Sequence, residues 1–153
     1  SSRRAAPCAR PPKERLSLTR VNLFRNKNVT DEGLANCKDC KNLTELYLTE
    51  TQVSDAGLMN FEGCKTLTTL SLTGTQSTNK GLLYFKGCRN LTSLGVEETP
   101  VSDEGLAPFK ECKALTSLNL RKTNVTAMLI DEFHLALPAC RIVHDKGIIE
   151  PKK

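Results

Sequence analysis

The sequence predicts an α/β solenoid: right-handed coils stacked so that parallel strands line a concave face and short helices cover the convex face. Three observations predict it. Leu43, Leu67, Leu91 and Leu115 are spaced by 24 residues, and a fixed period of about 20 to 50 residues implies a solenoid or a propeller. Each of these leucines opens the same pattern, L-x-x-L-x-[LV], continued by Leu46 and Leu48, Leu70 and Leu72, Leu94 and Val96, and Leu118 and Leu120. Each unit then passes from a period of two to helix-start signals, and one strand with one short helix cannot bury its faces without stacking on neighbours. The repeated order strand, loop, helix requires right-handed crossovers.

The elements follow in order along each unit. About five residues of apolar and polar alternation place a short strand with one buried face. An earlier unit, Leu18, Val21 and Leu23, keeps the spacing but lies 25 residues before the next, so one residue is inserted, most simply in the loop Arg25 to Asn28. Val29, Val53, Val101 and Val125 come next, followed by Thr30, Ser54, Ser102 and Thr126, residue types that cap helix N-termini. Asp31, Asp55 and Asp103 then sit where the helix dipole favours negative charge. Val53 and Leu58 have the spacing of a hydrophobic staple. Gly33, Gly57, Gly81 and Gly105 recur where a side chain would strike the neighbouring coil. Leu58, Phe61 and Cys64 form an inward stripe. The third unit departs most, with Gln76-Ser77-Thr78-Asn79-Lys80 in place of the V-[ST]-D-x pattern, which predicts the softest loop. The first unit has Cys37 where the others have Phe61, Phe85 and Phe109.

The L-x-x-L-x-L-x-x-[NT]-x-V segments resemble leucine-rich repeats, and V-[ST]-D-x-G-L followed by F-x-x-C-K-x-L resembles a 24-residue cysteine-containing type, over about residues 16 to 150. The repeats look like those of bacterial arrays that occur alone or attached to serine/threonine protein kinases, and more distantly like those of F-box adaptors. The resemblance implies a leucine-rich-repeat solenoid that recognises protein partners. Ala136-Leu137-Pro138-Ala139-Cys140-Arg141-Ile142 resembles the closing segment of the bacterial group, implying a lengthened helix and a final strand. Where many such repeats keep an asparagine, Asn26 does so here, but Thr51, Thr75, Thr99 and Thr123 replace it as a ladder of hydroxyl groups. The organisation expected is a flexible basic stub over 1–15, a repeat domain over 16–150 and a tail over 151–153. Within the domain, five strand-bearing units are followed by a cap over about 127–150, with Leu135, Leu137 and Ile142 covering the last coil.

The bulk composition fits one domain of 153 residues, 39% hydrophobic. No run of about 18 apolar residues predicts a membrane span. No signal-peptide pattern is present, and the chain starts at Ser1 rather than Met, which leaves secretion open. Of the net charge of +5, residues 1–15 carry +4 through Arg3, Arg4, Arg10, Lys13 and Arg15 against Glu14. Short charged ends are ordinarily solvated, so nucleic acid is not the expected partner.

Cys40, Cys64, Cys88 and Cys112 share the 24-residue period. In an in-register stack their Cβ vectors run parallel, which favours buried free thiols over disulfides, and hence weakly a cytoplasmic, reducing compartment. Cys37-Lys38-Asp39-Cys40 is a C-x-x-C without a second ligand pair for zinc or the expected redox fold context. His134 and His144 have no nucleophile motif beside them. No metal, cofactor or small-molecule substrate is indicated, and no catalytic constellation exists. The expected function is protein binding through the concave face and adjoining loops; the alternative is a regulatory or targeting fragment of a larger enzyme such as a serine/threonine protein kinase.

The outward wall positions carry the candidate contacts: Phe24, Tyr47, Arg20, Asn22, Glu45, Glu97 and Arg121. Phe24 and Tyr47 are read as exposed aromatics on adjacent strands, an anchor of the kind that dominates interfaces. Arg25 beside Glu50, Glu97 beside Arg121 and Glu98 beside Lys122 are expected to neutralise laterally.

Overall fold

The computed structural model describes residues 18–153, and the basic segment 1–15 lies outside them. Six units of rising chain build one seven-stranded sheet in sequential order. Strands β1 (Arg20–Asn22), β2 (Glu45–Tyr47), β3 (Thr69–Ser71), β4 (Ser93–Gly95), β5 (Ser117–Asn119) and β6 (Arg141–His144) are parallel neighbours, and β7 (Gly147–Ile149) turns back antiparallel on β6. The central residues Val21, Leu46, Leu70, Leu94, Leu118 and Ile142 are in register and buried. The architecture is a leucine-rich-repeat-like solenoid. Strands β1 to β5 are three residues long, shorter than the five-residue alternation, although backbone bonds between neighbouring coils continue past them, as from the Arg25 N–H to the Thr49 carbonyl.

The helices lie on the convex side: α1 (Asp31–Leu34), α2 (Asp55–Leu58), α3 (Asn79–Leu83), α4 (Asp103–Leu106) and the longer α5 (Ala127–Ala136). After α1, α2 and α4 the chain tightens into a 3-10 turn. Below them Leu58, Phe61, Phe85 and Phe109 are fully buried, as the inward stripe requires. The inserted residue falls inside Lys27–Asn28. Asn26 and Thr51 make equivalent turn bonds to Leu23 and Leu48, 25 residues apart, whereas Val29 and Val53 accept equivalent bonds from Gln52 and Gln76, 24 apart.

The aspartates do more than meet a helix dipole. Asp31 accepts from the backbone N–H of Ser54 at 2.8 Å and from its hydroxyl at 2.5 Å, so one carboxylate clamps the N-cap of the next coil. Asp55 does the same to Thr78 at 2.8 and 2.5 Å and also accepts from the N–H of Gly81 at 3.0 Å; Asp103 clamps Thr126 at 2.8 and 2.6 Å. These are charge-assisted bonds, the stronger kind. The third unit keeps the device with an amide: Asn79 accepts from the Ser102 N–H at 2.8 Å and donates to its hydroxyl at 2.7 Å. Buried Ser77 fills the valine position there, hydrogen-bonded to Thr75.

The threonine hydroxyls do not bond from coil to coil. Thr51, Thr75, Thr99 and Thr123 each donate to the carbonyl three residues earlier in their own turn, at 2.5 to 2.7 Å. The far end also corrects one expectation: Leu137 and Ile142 are buried, but Leu135 is 74% exposed. In α5 the core takes Leu129, Ile130 and Phe133, and at helical spacing Leu135 falls on the opposite face.

Candidate functional site

The concave wall is the surface that the fold leaves to side chains, since alternate residues point into the core. Its N-terminal end is aromatic and cationic. Arg20 pairs with Glu45 at 3.0 Å, directly across the β1–β2 ladder, and its guanidinium lies 5.4 Å from the centroid of the Tyr47 ring. Phe24 is 52% exposed, with the Arg25 guanidinium 5.0 Å from its ring centroid. Arg25 in turn pairs with Glu50 at 3.2 Å. The cations are therefore held over aromatic faces by carboxylates on the next coil.

Five of the seven candidate residues gather in this corner. Asn22 sits opposite Tyr47 in the ladder, and its side-chain oxygen accepts from the Phe24 N–H at 3.1 Å, fixing the turn that carries Phe24. Phe24 lies beyond β1, and Tyr47 is half-buried, so the aromatics are staggered rather than directly opposed. Glu97 and Arg121 lie apart from them, toward the other end of the wall. Glu97 does not pair with Arg121, the residue at its own register; it accepts from the Asn119 amide at 2.9 Å, one step back along the wall, opposite Gly95. The Asn119 oxygen in turn accepts from the Arg121 N–H at 3.2 Å. Glu98 pairs with Lys122 at 2.6 Å, and this hydrogen bond holds the Lys122 ammonium above the usual lysine value.

Between the two charged ends the wall is small and polar, with Thr69, Ser71, Thr73, Ser93 and Gly95; Thr49 and Ser71 share a 2.6 Å hydroxyl bond. The rim carries a feature the repeat pattern did not reveal. Arg25, Glu50, Glu98 and Lys122 all adopt positive φ of 53 to 57°, and the matching residue of the third unit is Gly74 at 66°. That glycine, alone in a column of charged residues, was the available signal. The same four charged side chains form the two lateral pairs of the rim.

The cysteine column is made of thiols. All six cysteines among the described residues are free. Cys64 donates to the Cys40 carbonyl at 3.2 Å, Cys88 to that of Cys64 at 3.2 Å and Cys112 to that of Cys88 at 3.4 Å, each joining its coil to the one before. Burial pushes Cys88 up to about 12 and Cys140 up to about 11. Among the described residues no group of His, Cys, Asp and Glu side chains could hold a metal ion, and no helix is long and apolar enough to cross a membrane. His144 and Asp145 line a cavity of about 220 Å³ beside α5 with Leu120, Val125 and Ile149, while His134 sits in α5 with its buried Nδ1 unpaired.

The model of the leucine-rich repeat family matches residues 16–36 and 39–61. Among curated proteins none matches the sequence. Among solved structures, internalin C2 from Listeria monocytogenes is similar at 14% identity and a TM-score of 0.47, over 82% of this chain and 80% of that one. An internalin, InlF, from the same species is similar at 16% identity and 0.49, over 72% of this chain. This chain spans 37% of that internalin's length. The second actin-binding site of leiomodin-1 is similar at 15% identity and 0.42, over 82% of this chain and 69% of that one.

Proposed function

We propose that this chain is a protein-binding module that engages its partner through the N-terminal corner of the concave face and the adjoining loops. The observation that carries the reading is the pair of aromatic rings with arginines stacked on them, Tyr47 under Arg20 and Phe24 under Arg25, with Phe24 more than half exposed. Aromatic and arginine side chains dominate interface energies, and here the arginines are already positioned by Glu45 and Glu50. Phe24, Tyr47, Arg20, Asn22 and Glu45 form the proposed anchor; Glu97 and Arg121 supply peripheral polar contacts. Six parallel strands at about 4.8 Å spacing span roughly 24 Å. A standard interface buries about 800 Å² per partner, so the loops after the strands must contribute. The 24-residue period with its cysteine column supports the cysteine-containing type of repeat, and the free thiols support a reducing, cytoplasm-like compartment.

The test is a pull-down from source-cell lysate with the wild-type chain and the double variant Phe24→Ser, Tyr47→Ser, both shown folded by circular dichroism. A partner bound by the wild type and lost by the variant is expected. A partner retained by the variant would move recognition to the loops, the helices or residues 1–15, and the absence of any partner would favour a spacer.

A further inference from the structure

Cys37 and Cys40 differ from the rest of the thiol column. Cys64, Cys88, Cys112 and Cys140 are buried, whereas Cys37 and Cys40 are both half-exposed at the edge of the core. Cys37 exists as a thiol only because the first coil replaces the phenylalanine found at 61, 85 and 109. The four residues form a hydrogen-bonded turn: the Cys40 N–H donates to the Cys37 carbonyl at 2.9 Å, and Lys38 has φ −55° and ψ −28°. Such a turn brings its end Cα atoms within about 7 Å, and disulfides span Cα separations of about 4.4 to 6.8 Å. Along the column the geometry is different, since Cys64 directs its thiol to the Cys40 carbonyl rather than to its sulfur. Burial first, and then the neighbouring Cys40 thiol, hold Cys37 above the ordinary cysteine value.

We propose that Cys37 and Cys40 form an oxidation site, a dithiol that a low-molecular-weight disulfide converts into an intrachain bond. One thiolate attacks a sulfur of the reagent, forming a mixed disulfide and releasing the first reduced thiol. The second thiolate attacks the protein sulfur of that mixed disulfide and releases the second. The two protein thiols are oxidised, the reagent's S–S bond is reduced, and the two protons go to the released thiolates. The reaction requires thiolate, so it accelerates as pH rises above neutrality.

The experiment treats the folded chain, with Cys8 replaced by Ser, with oxidised glutathione, and then digests it with trypsin, which cuts between the two cysteines after Lys38. The expected product is one disulfide-linked species joining the peptide that ends at Lys38 to Asp39–Lys41, with the intact mass lower by two hydrogens. Cys64, Cys88, Cys112 and Cys140 stay reduced until denaturant is added. The Cys40→Ser variant should instead retain a glutathione adduct on Cys37. Persistent adducts on both cysteines of the parent, a link from Cys40 to Cys64, or no reaction at either thiol would overturn the proposal.

Discussion

The first coil and the three coils after it all start their helices after a serine or threonine, yet that residue has different partners in the two places. In the inner coils Ser54, Thr78 and Ser102 are clamped by Asp31, Asp55 and Asn79 of the preceding coil. Thr30 occupies the same position and has no such partner among the described residues, nor a side-chain cap bond of its own. A Cβ on Gly57, Gly81 or Gly105 would come within 2.3 to 2.5 Å of that clamping side chain, whereas one on Gly33 would meet nothing within 4 Å among the described residues. Phe61, Phe85 and Phe109 are fully buried, and their counterpart Cys37 is half-buried. A repeat motif in a solenoid is thus half of an interface, and its energetic meaning depends on the neighbour that supplies the other half.

The contrast is sharpened first by pH. The buried thiols of Cys88 and Cys140 have folded values of about 12 and about 11 against an ordinary 9.0, so folding favours the protonated form. Their contribution is complete below pH 9.0 and is lost as pH rises from there toward 12, because the unfolded chain ionises first. The urea midpoint should fall steeply across that window. Replacing Cys88 with Ala should flatten the slope, and an unchanged slope would show that the column does not titrate as a buried set.

Among substitutions the largest difference should separate Phe85→Ala from Cys37→Ala. Removing a fully buried phenylalanine costs about 3–5 kcal/mol, while loss of a half-buried thiol should cost less than about 1 kcal/mol, by the scale for a small apolar group. Chemical denaturation of both variants measures the gap; equal losses would mean that the first coil is packed as tightly as the third. Next comes Asp55→Ala, which removes three hydrogen bonds to a charged acceptor. A cost of about 2–3 kcal/mol is expected. Asp55→Asn should recover part of it, because Asn79 already performs the same clamp with an amide.

Much of this was legible in the sequence because it depends on residues a fixed distance apart. The 24-residue period placed the register, the buried leucines and the inward phenylalanines, and the glycine spacing announced a close approach at Gly57, Gly81 and Gly105. What stayed hidden depends on which side-chain atom reaches which neighbour. Asp31, Asp55 and Asp103 looked like dipole residues because a helix start explains them locally, and only the stack shows their oxygens on the next coil. Glu97 and Arg121 looked like a charge pair, but the shorter amide of Asn119 intervenes. Leu135 was misplaced because α5 keeps the face of the short helices toward the core, with Ile130 and Phe133 at the positions of Leu58 and Phe61, and that face leaves Leu135 on the solvent side. The aromatic corner was half visible: Phe24 and Tyr47 stood out by type, but nothing in their spacing indicated that Arg20 and Arg25 would lie over them.

The smallest effect is the most direct reading of the contrast between the first coil and the coils after it. Gly81→Ala places a methyl group 2.3 Å from the Asp55 carboxylate and 2.9 Å from a Leu58 methyl. The clamp must open or the coils must separate, at a cost of about 1–3 kcal/mol for overpacking. Gly33→Ala meets nothing within 4 Å among the described residues, and its backbone is that of an ordinary helix residue, so the substitution should gain up to about 1 kcal/mol from helix propensity. Thermal melts of the two variants should therefore move in opposite directions. If Gly33→Ala also lowered the melting temperature, some part of the molecule would have to sit against the first coil as Asp55 sits against the third.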